Sequence, residues 1–276
     1  MIRGISIFDS NGEEKFSRHY AKSTLDRENM FRILFKMKND FFNRIEHINI
    51  AKYKITVSSL ENFTLFTLSD RCNVDEEIEG FVKGVIALIN KYELEQIAAD
   101  RKVARSFEDE VDKLVESVSV KITLIGSGGV GKTTIVKLLE ESAIPIEYKP
   151  TMFADIKPLN IKIGPFAIAL FAAAGQKAYR GTWDLVMQAT DVVVVVTDST
   201  EGNIDETRNE ILPYAYSIAP YARYFAVANK QDLANALPAS EVEARLGIPA
   251  YPSVAINPAY KDEILEIFSE ILIKMP

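Results

Sequence analysis

Residues 126–133 read Gly-Ser-Gly-Gly-Val-Gly-Lys-Thr and fill every fixed position of the pattern G-x-x-x-x-G-K-[ST]. The chemistry this permits is the binding of a phosphate chain. Gly126, Gly128, Gly129 and Gly131 lack Cβ atoms, so the backbone can turn tightly and aim its N–H groups inward. A helix starting near Lys132 adds its N-terminal donors to that anion site. Lys132 can reach the outer phosphates, and the Thr133 hydroxyl can hold Mg²⁺. Ser127, Val130 and Thr134 complete the segment expected to touch the ligand. A second cluster, Asn229-Lys-Gln-Asp232, points to the base at the other end of that ligand. The Asp232 carboxylate can accept from N1–H and N2–H₂ of guanine. Adenine offers no such pair of donors, so a buried Asp232 would go unsatisfied with ATP.

These residues need elements to hold them. Val120–Ile125 is a short apolar run of the kind that forms a buried strand, and a helix over 132–141 follows the loop. Beyond residue 119 strand and helix patterns alternate, as in an open, mostly parallel sheet with helices on both faces. The six strand candidates are 121–125, 156–163, 166–171, 191–197, 224–228 and 251–255. Val192 to Val196 is five consecutive valines, which suits a central strand buried on both faces. Further helices are expected over 179–188, 204–218, 239–246 and 261–273.

The first 118 residues read differently. Ile2–Phe8 alternates, Asp9-Ser-Asn-Gly12 is a turn, and residues 13–20 can return as the second strand of a hairpin. Met30, Ile33, Leu34, Met37 and Phe41 share the stripe of a helix over 25–42. Strands are expected over 53–58 and 63–69, with a weaker one at 45–50. A helix over 75–92 follows, then a charged stretch over 93–105. Ser106 with Asp109 has the spacing of a capping box for a last short helix. The boundary between two domains, 1–118 and 119–276, falls just after it.

Composition narrows the function. With 47% hydrophobic and 26% charged residues, 276 residues suffice for two folded cores. The net charge of −7 is spread over both halves, which argues against a nucleic-acid binder. A lone cysteine, Cys72, excludes an intrachain disulfide and fits a reducing, cytoplasmic setting. His19 and His47 are too few for a His/Cys metal cluster. There is no membrane-length apolar run. The second residue is Ile2 where myristoylation needs a glycine, and the C-terminal end carries no cysteine for prenylation, so membrane contact is expected to be indirect.

The C-terminal half resembles the Ras superfamily of small GTPases, and its Arf-like branch most closely. The resemblance covers nearly all of residues 119–276 and rests on five motifs in order: 126–133, Pro150-Thr151, Gly175-Gln176, Asn229–Asp232 and Ser253-Val254-Ala255. It implies a P-loop GTPase domain that binds GTP or GDP with Mg²⁺. By the match, Thr151 closes over the metal and the γ-phosphate, and the Gly175 N–H contacts that phosphate. Gln176 orients the attacking water, the Lys230 stem packs on the purine, and the Ala255 N–H reads guanine O6. Taken alone, Thr151 is a loop hydroxyl and Gln176 a solvated side chain; their ordered company with the phosphate loop gives them the functional reading. Arg180 reads either as a phosphate-facing charge or as a solvated helix residue, and the latter is favoured. The opening 13 residues and Ser17–Tyr20 are similar to small clathrin-adaptor subunits. The element order of 1–118 resembles the longin fold, a smaller α/β domain on an antiparallel sheet that acts as an interaction module.

One position departs from the pattern. The family places Asp at the start of its D-x-x-G motif, where this chain reads Phe171-Ala-Ala-Ala-Gly175. Ala172 removes a carboxylate that holds a metal-bound water, which leads us to expect weaker Mg²⁺ retention. Two readings follow. The first is a slow GTPase switch with exchange and activating proteins, a state-dependent effector, and the longin-like half as regulator, in contact with its own GTPase half or another molecule, in membrane traffic or protein targeting. The second is a non-hydrolysing GTP-binding adaptor whose function lies in the longin-like half.

Overall fold

The structure, a computed structural model, describes residues 1–23, 25–37, 41, 43–141, 158–164 and 166–274. The chain divides into two compact units. One comprises Met1–Ser119 with short pieces at Gly164–Ala167 and Glu270–Pro276; the other comprises Val120–Ile163 and Ile168–Ser269.

The N-terminal unit holds β1 (Ile2–Asp9), β2 (Glu14–His19), α1 (Arg27–Lys36), β3 (Ile45–Ile50), β4 (Tyr53–Ser59), β5 (Phe63–Asp70), α2 (Asp75–Tyr92), α3 (Leu94–Ala99) and α4 (Arg101–Ser117). Its sheet runs β2-β1-β5-β4-β3 with every neighbour antiparallel. The first turn closes because the Asp9 carboxylate accepts from the N–H groups of Asn11 and Glu13, both at 2.9 Å. Phe31 of α1 stacks on Phe66 of β5 at 4.8 Å, in a cluster with Leu34, Ile55 and Leu68. On α4, Phe107, Val111 and Val115 are buried, and the Phe107 ring meets Phe16 edge-on at 4.9 Å. Arg18 grips Asp112 of α4 through two hydrogen bonds of 2.8 and 2.5 Å, and the Tyr20 hydroxyl donates to the same carboxylate.

Two sequence expectations change here. The stretch over 93–105 contains α3, and the last helix begins at Arg101 rather than at Ser106. Asp100 is its cap, accepting from the Lys102 and Val103 N–H groups. Ser106 therefore sits inside the helix, where the Asp100 carboxylate has already satisfied the first donors. The helix expected over 25–42 is described only as Arg27–Lys36, capped by Asp26.

The C-terminal part of the chain, which supplies the second unit and the short pieces of the first, contains β6 (Val120–Ile125), α5 (Lys132–Leu139), β7 (Leu159–Ile163), β8 (Phe166–Ala172), α6 (Trp183–Met187), β9 (Val192–Thr197), α7 (Glu201–Glu206), α8 (Leu212–Ile218), β10 (Arg223–Ala228), α9 (Ala239–Leu246), β11 (Ala250–Pro252) and α10 (Tyr260–Lys274). The sheet order is β11-β10-β9-β6-β8-β7, and the pairings from β11 through β8 are parallel. All five valines of β9 are fully buried, as a strand covered on both faces requires. The helix expected over 179–188 is a 3₁₀ turn, Lys177–Thr182, followed by α6. The helix expected over 204–218 starts three residues earlier and passes through a π-helical segment, Thr207–Ile211, before α8. Pro213 lies in the first turn of α8 and can neither donate to the preceding turn nor clear its carbonyl in α geometry. A widened turn just before it relieves both problems.

Replacing Phe107 with alanine deletes a fully buried ring from the joint between α4 and β2. The expected loss is about 3–5 kcal/mol, read as a lower urea midpoint with an unchanged slope.

Candidate functional site

Parallel pairing sets where the chemistry can occur. In register, Ile125 of β6 faces Val195 of β9, Thr197 faces Ala228 of β10, and Ala228 faces Pro252 of β11. The segments that start at Gly126, Asp198, Asn229 and Ser253 therefore leave the same edge of the sheet. That edge, outside the carboxyl ends of the strands and where the strand order reverses around β6, is the usual ligand crevice of an open α/β sheet.

The glycine loop is built for backbone donors. Gly126, Gly129 and Gly131 have φ of 140°, 80° and 107°. A Cβ on Gly126 would strike the Val196 carbonyl, and one on Gly131 would strike the Asn229 amide. Gly131 caps α5 in left-handed geometry and brings no side chain to the first donors of that helix. Lys132 is buried, and its ammonium donates to the carbonyls of Gly126 and Ser127, both at 2.8 Å. Burial, and then the nearby Arg180 charge, push its pKa down to about 7. A buried ammonium beside a glycine loop at a helix N-terminus fits a polyanion, which would restore the charge. The Thr133 hydroxyl, in the first turn of α5, can hold Mg²⁺ beside such a ligand. Thr134 follows it, half-buried.

Asn229 ties this loop to the base-reading segments. Its Nδ2 donates to the Val130 carbonyl at 2.8 Å, and its Oδ1 accepts from the Ala255 N–H at 3.0 Å. Its own carbonyl accepts from the Ser199 hydroxyl. Gln231 braces the turn from the other side, donating to Ser199 Oγ and to the Leu237 carbonyl. Lys230 adopts a positive φ of 61°, which turns the chain sharply between these two anchors. Ser253 is fully buried, and its hydroxyl has no hydrogen-bond partner among the described residues. An orphaned buried hydroxyl at this edge suits a polar ligand. Val254 is half-buried beside it. Asp232 is exposed. In the protein alone water therefore satisfies the Asp232 carboxylate; only a base stacked over it would remove it from water.

The segment after β8 approaches the glycine loop closely. A Cβ on Gly175 would collide with the Lys132 ammonium and the Ser127 carbonyl. Gln176, half-buried, leads into the 3₁₀ turn. The Trp183 indole N–H donates to the Ala174 carbonyl at 2.9 Å and anchors the same segment from behind. Ala172 pairs with Leu124 at the end of β8. Asp198 is committed to the N–H and hydroxyl of Thr200. Among the described residues no group of three or more His, Cys, Asp or Glu could hold a metal ion. Thr151, with Pro150, lies outside the described residues.

Two residues are placed where sequence reasoning did not put them. The Ser127 hydroxyl donates to Glu206 at 2.7 Å, a partner that no motif indicates. Arg180 is not a solvated side chain: it is mostly buried and paired with Glu206 and Glu210. Glu206 and Glu210 carry no motif. Their spacing of four, facing a basic residue from another element, is visible only in the fold.

Fold and loop order together define a small P-loop α/β domain of the GTPase class. A match to the ADP-ribosylation factor family spans residues 107–268, starting within α4. The ADP-ribosylation factor-like protein alp41 of Schizosaccharomyces pombe is 30% identical over 138 residues, 49% of this chain and 72% of that protein. The ADP-ribosylation factor-like protein 5 of Caenorhabditis elegans is 32% identical over 130 residues, 46% of this chain and 71% of that protein. The chain belongs to the ADP-ribosylation factor family.

The Lys132 shift has a signed consequence. Between about 7 and the ordinary value of 10.5 the unfolded chain binds more protons than the fold. Ligand-free stability therefore rises with pH across that window. Urea midpoints of the parent chain and Lys132→Met, measured from pH 6.5 to 10, are expected to converge as pH rises.

Proposed function

We infer that the chain is a guanine-nucleotide-dependent switch that binds GTP or GDP with Mg²⁺ and hydrolyses GTP slowly. The observation that carries this reading is the Asn229 knot, which joins a phosphate-type loop to the 253–255 loop through one buried amide. The proposed switch occupies residues 119–276. Residues 1–118 form a longin-like regulator or adaptor, and the antiparallel sheet with its packed helices supports that assignment. The proposed setting is cytoplasmic, in membrane traffic or protein targeting, with indirect membrane contact and no nucleic acid. No helix among the described residues is long and apolar enough to cross a membrane.

In this reading the loop N–H groups of Gly126 to Thr134 cradle the phosphates, and Lys132 adds a fixed positive charge where the outer phosphates lie. Gly175, whose added Cβ would meet the Lys132 ammonium, supplies the N–H for the terminal phosphate. Gln176 positions the attacking water, and hydrolysis releases the segments that the terminal phosphate had ordered. Asp232, Lys230 and the Ala255 N–H read the base. Bound Mg²⁺ would neutralise charge on the outer phosphate oxygens, with Thr133 and Thr151 supplying its protein oxygens. Bare turnover is slow because no arginine is supplied from an activating partner, a contribution of about 10³–10⁵ in rate. Exchange factors and a state-dependent effector belong to the same scheme.

Ala172 favours a second reading, a GTP-binding adaptor that does not hydrolyse. Multiple-turnover GTP hydrolysis separates the two. The switch reading predicts slow turnover that Gln176→Leu lowers by at least about tenfold. Bound nucleotide without turnover in either protein, with activating partners also tested, would make it the adaptor. In the same assay Ala172→Asp is expected to tighten Mg²⁺ by roughly 10–100-fold, the usual weight of a residue that supports a metal ligand. An unchanged Mg²⁺ affinity would show that the missing carboxylate is not what limits the site.

A further inference from the structure

One carboxylate links the glycine loop to the segment that bears Gln176. Glu206, the last residue of α7, accepts from the Ser127 hydroxyl at 2.7 Å through one oxygen and from Arg180 at 2.5 Å through the other. Arg180 gives its second terminal nitrogen to Glu210 at 2.7 Å, and Lys177 closes the group on Glu210 at 3.1 Å. The arginine side chain is 16% exposed and that of Glu206 24%, so the pair lies partly out of water. Its bonds are charge-assisted, and together they fix a guanidinium plane. Glu210 sits in the π-helical segment Thr207–Ile211 that precedes Pro213. Arg180 is four residues beyond Gln176, and Ser127 supplies one of the two carbonyls that hold Lys132.

We propose that Glu206 is a positioning residue: it clasps the Gln176-bearing segment to the phosphate loop, so that the two move as one body. This rests on the switch reading and adds to it a device that no motif announces. The clasp serves the state with a terminal phosphate, because only that phosphate can engage the Gly175 N–H. Loss of the clasp then frees the segment and loosens the triphosphate selectively. Charge alone argues the opposite way. Removing a nearby negative group would slow the release of both nucleotides, and most of all of the more highly charged one.

The test uses the full chain with Glu206→Gln, Ser127→Ala and the double variant. Trp183 is the single tryptophan and bonds to Ala174, so its fluorescence reports the segment directly. In nucleotide-free protein, Glu206→Gln is expected to raise acrylamide quenching of Trp183 about threefold, while urea denaturation checks that the variant is folded. With fluorescent nucleotides, Glu206→Gln should speed release of a non-hydrolysable GTP analogue about tenfold, inside the roughly 5–150-fold range of coupled sites. GDP release should stay within about twofold. The double variant should match Glu206→Gln alone, since both changes cut one connection. Unchanged quenching, equal acceleration for both nucleotides, slower release, or additive single effects would each overturn the clasp. A parent chain that binds no guanine nucleotide would end the switch reading instead, and the quenching comparison would then decide the clasp by itself.

Discussion

The buried amide of Asn229 is the interaction on which the rest of the C-terminal unit depends. An amide can donate and accept in one plane, and here it does both across two loops that are far apart in sequence. The Val130 carbonyl belongs to the phosphate-type loop and the Ala255 N–H to the base-type loop. Both partners are main-chain groups at buried residues, so losing the amide would leave two unsatisfied groups at once. Gly131 is glycine partly for this reason, because a Cβ there would occupy the space of the Asn229 nitrogen. The sheet supports the amide in turn: β6, β9, β10 and β11 run parallel and end level, so their loops open on one edge.

Electrostatics divides that edge into two regions. Lys132 lies in a dry pocket lined by carbonyls, with its charge disfavoured until an anion arrives. A few residues away, Lys177 and Arg180 face Glu206 and Glu210, a group whose formal charges cancel. The first region is prepared for a ligand. The second holds the protein to itself. Glu206 joins them, because its second oxygen is bonded to the glycine loop.

Legibility in the sequence followed physical range. The six-stranded sheet was readable because buried parallel strands are apolar runs, as in Val192–Val196, and the glycine loop because its chemistry is local. Asp26 and Asp100 cap their helices through bonds to residues two or three places on. Even so, Ser106 drew the helix start away from Asp100, since a capping-box spacing can recur inside a helix. Arg180 reads as solvated in the sequence because its partners lie 26 and 30 residues away, and nothing local distinguishes a paired arginine from a solvated one. The exposure of Asp232 likewise depends on what stacks over it. The 3₁₀ turn before α6 escaped because its apolar spacing is that of an ordinary helix.

The central claim is that this edge of the sheet selects a guanine nucleotide through loops held by Asn229. Calorimetric titration of the nucleotide-free chain with GDP, GTP, ADP and ATP, in the presence of Mg²⁺, tests it most directly. The account predicts one guanine nucleotide per chain and adenine nucleotides weaker by at least about a hundredfold, the scale of leaving buried polar groups unpaired at about 1–3 kcal/mol each. ATP bound as tightly as GTP would contradict it.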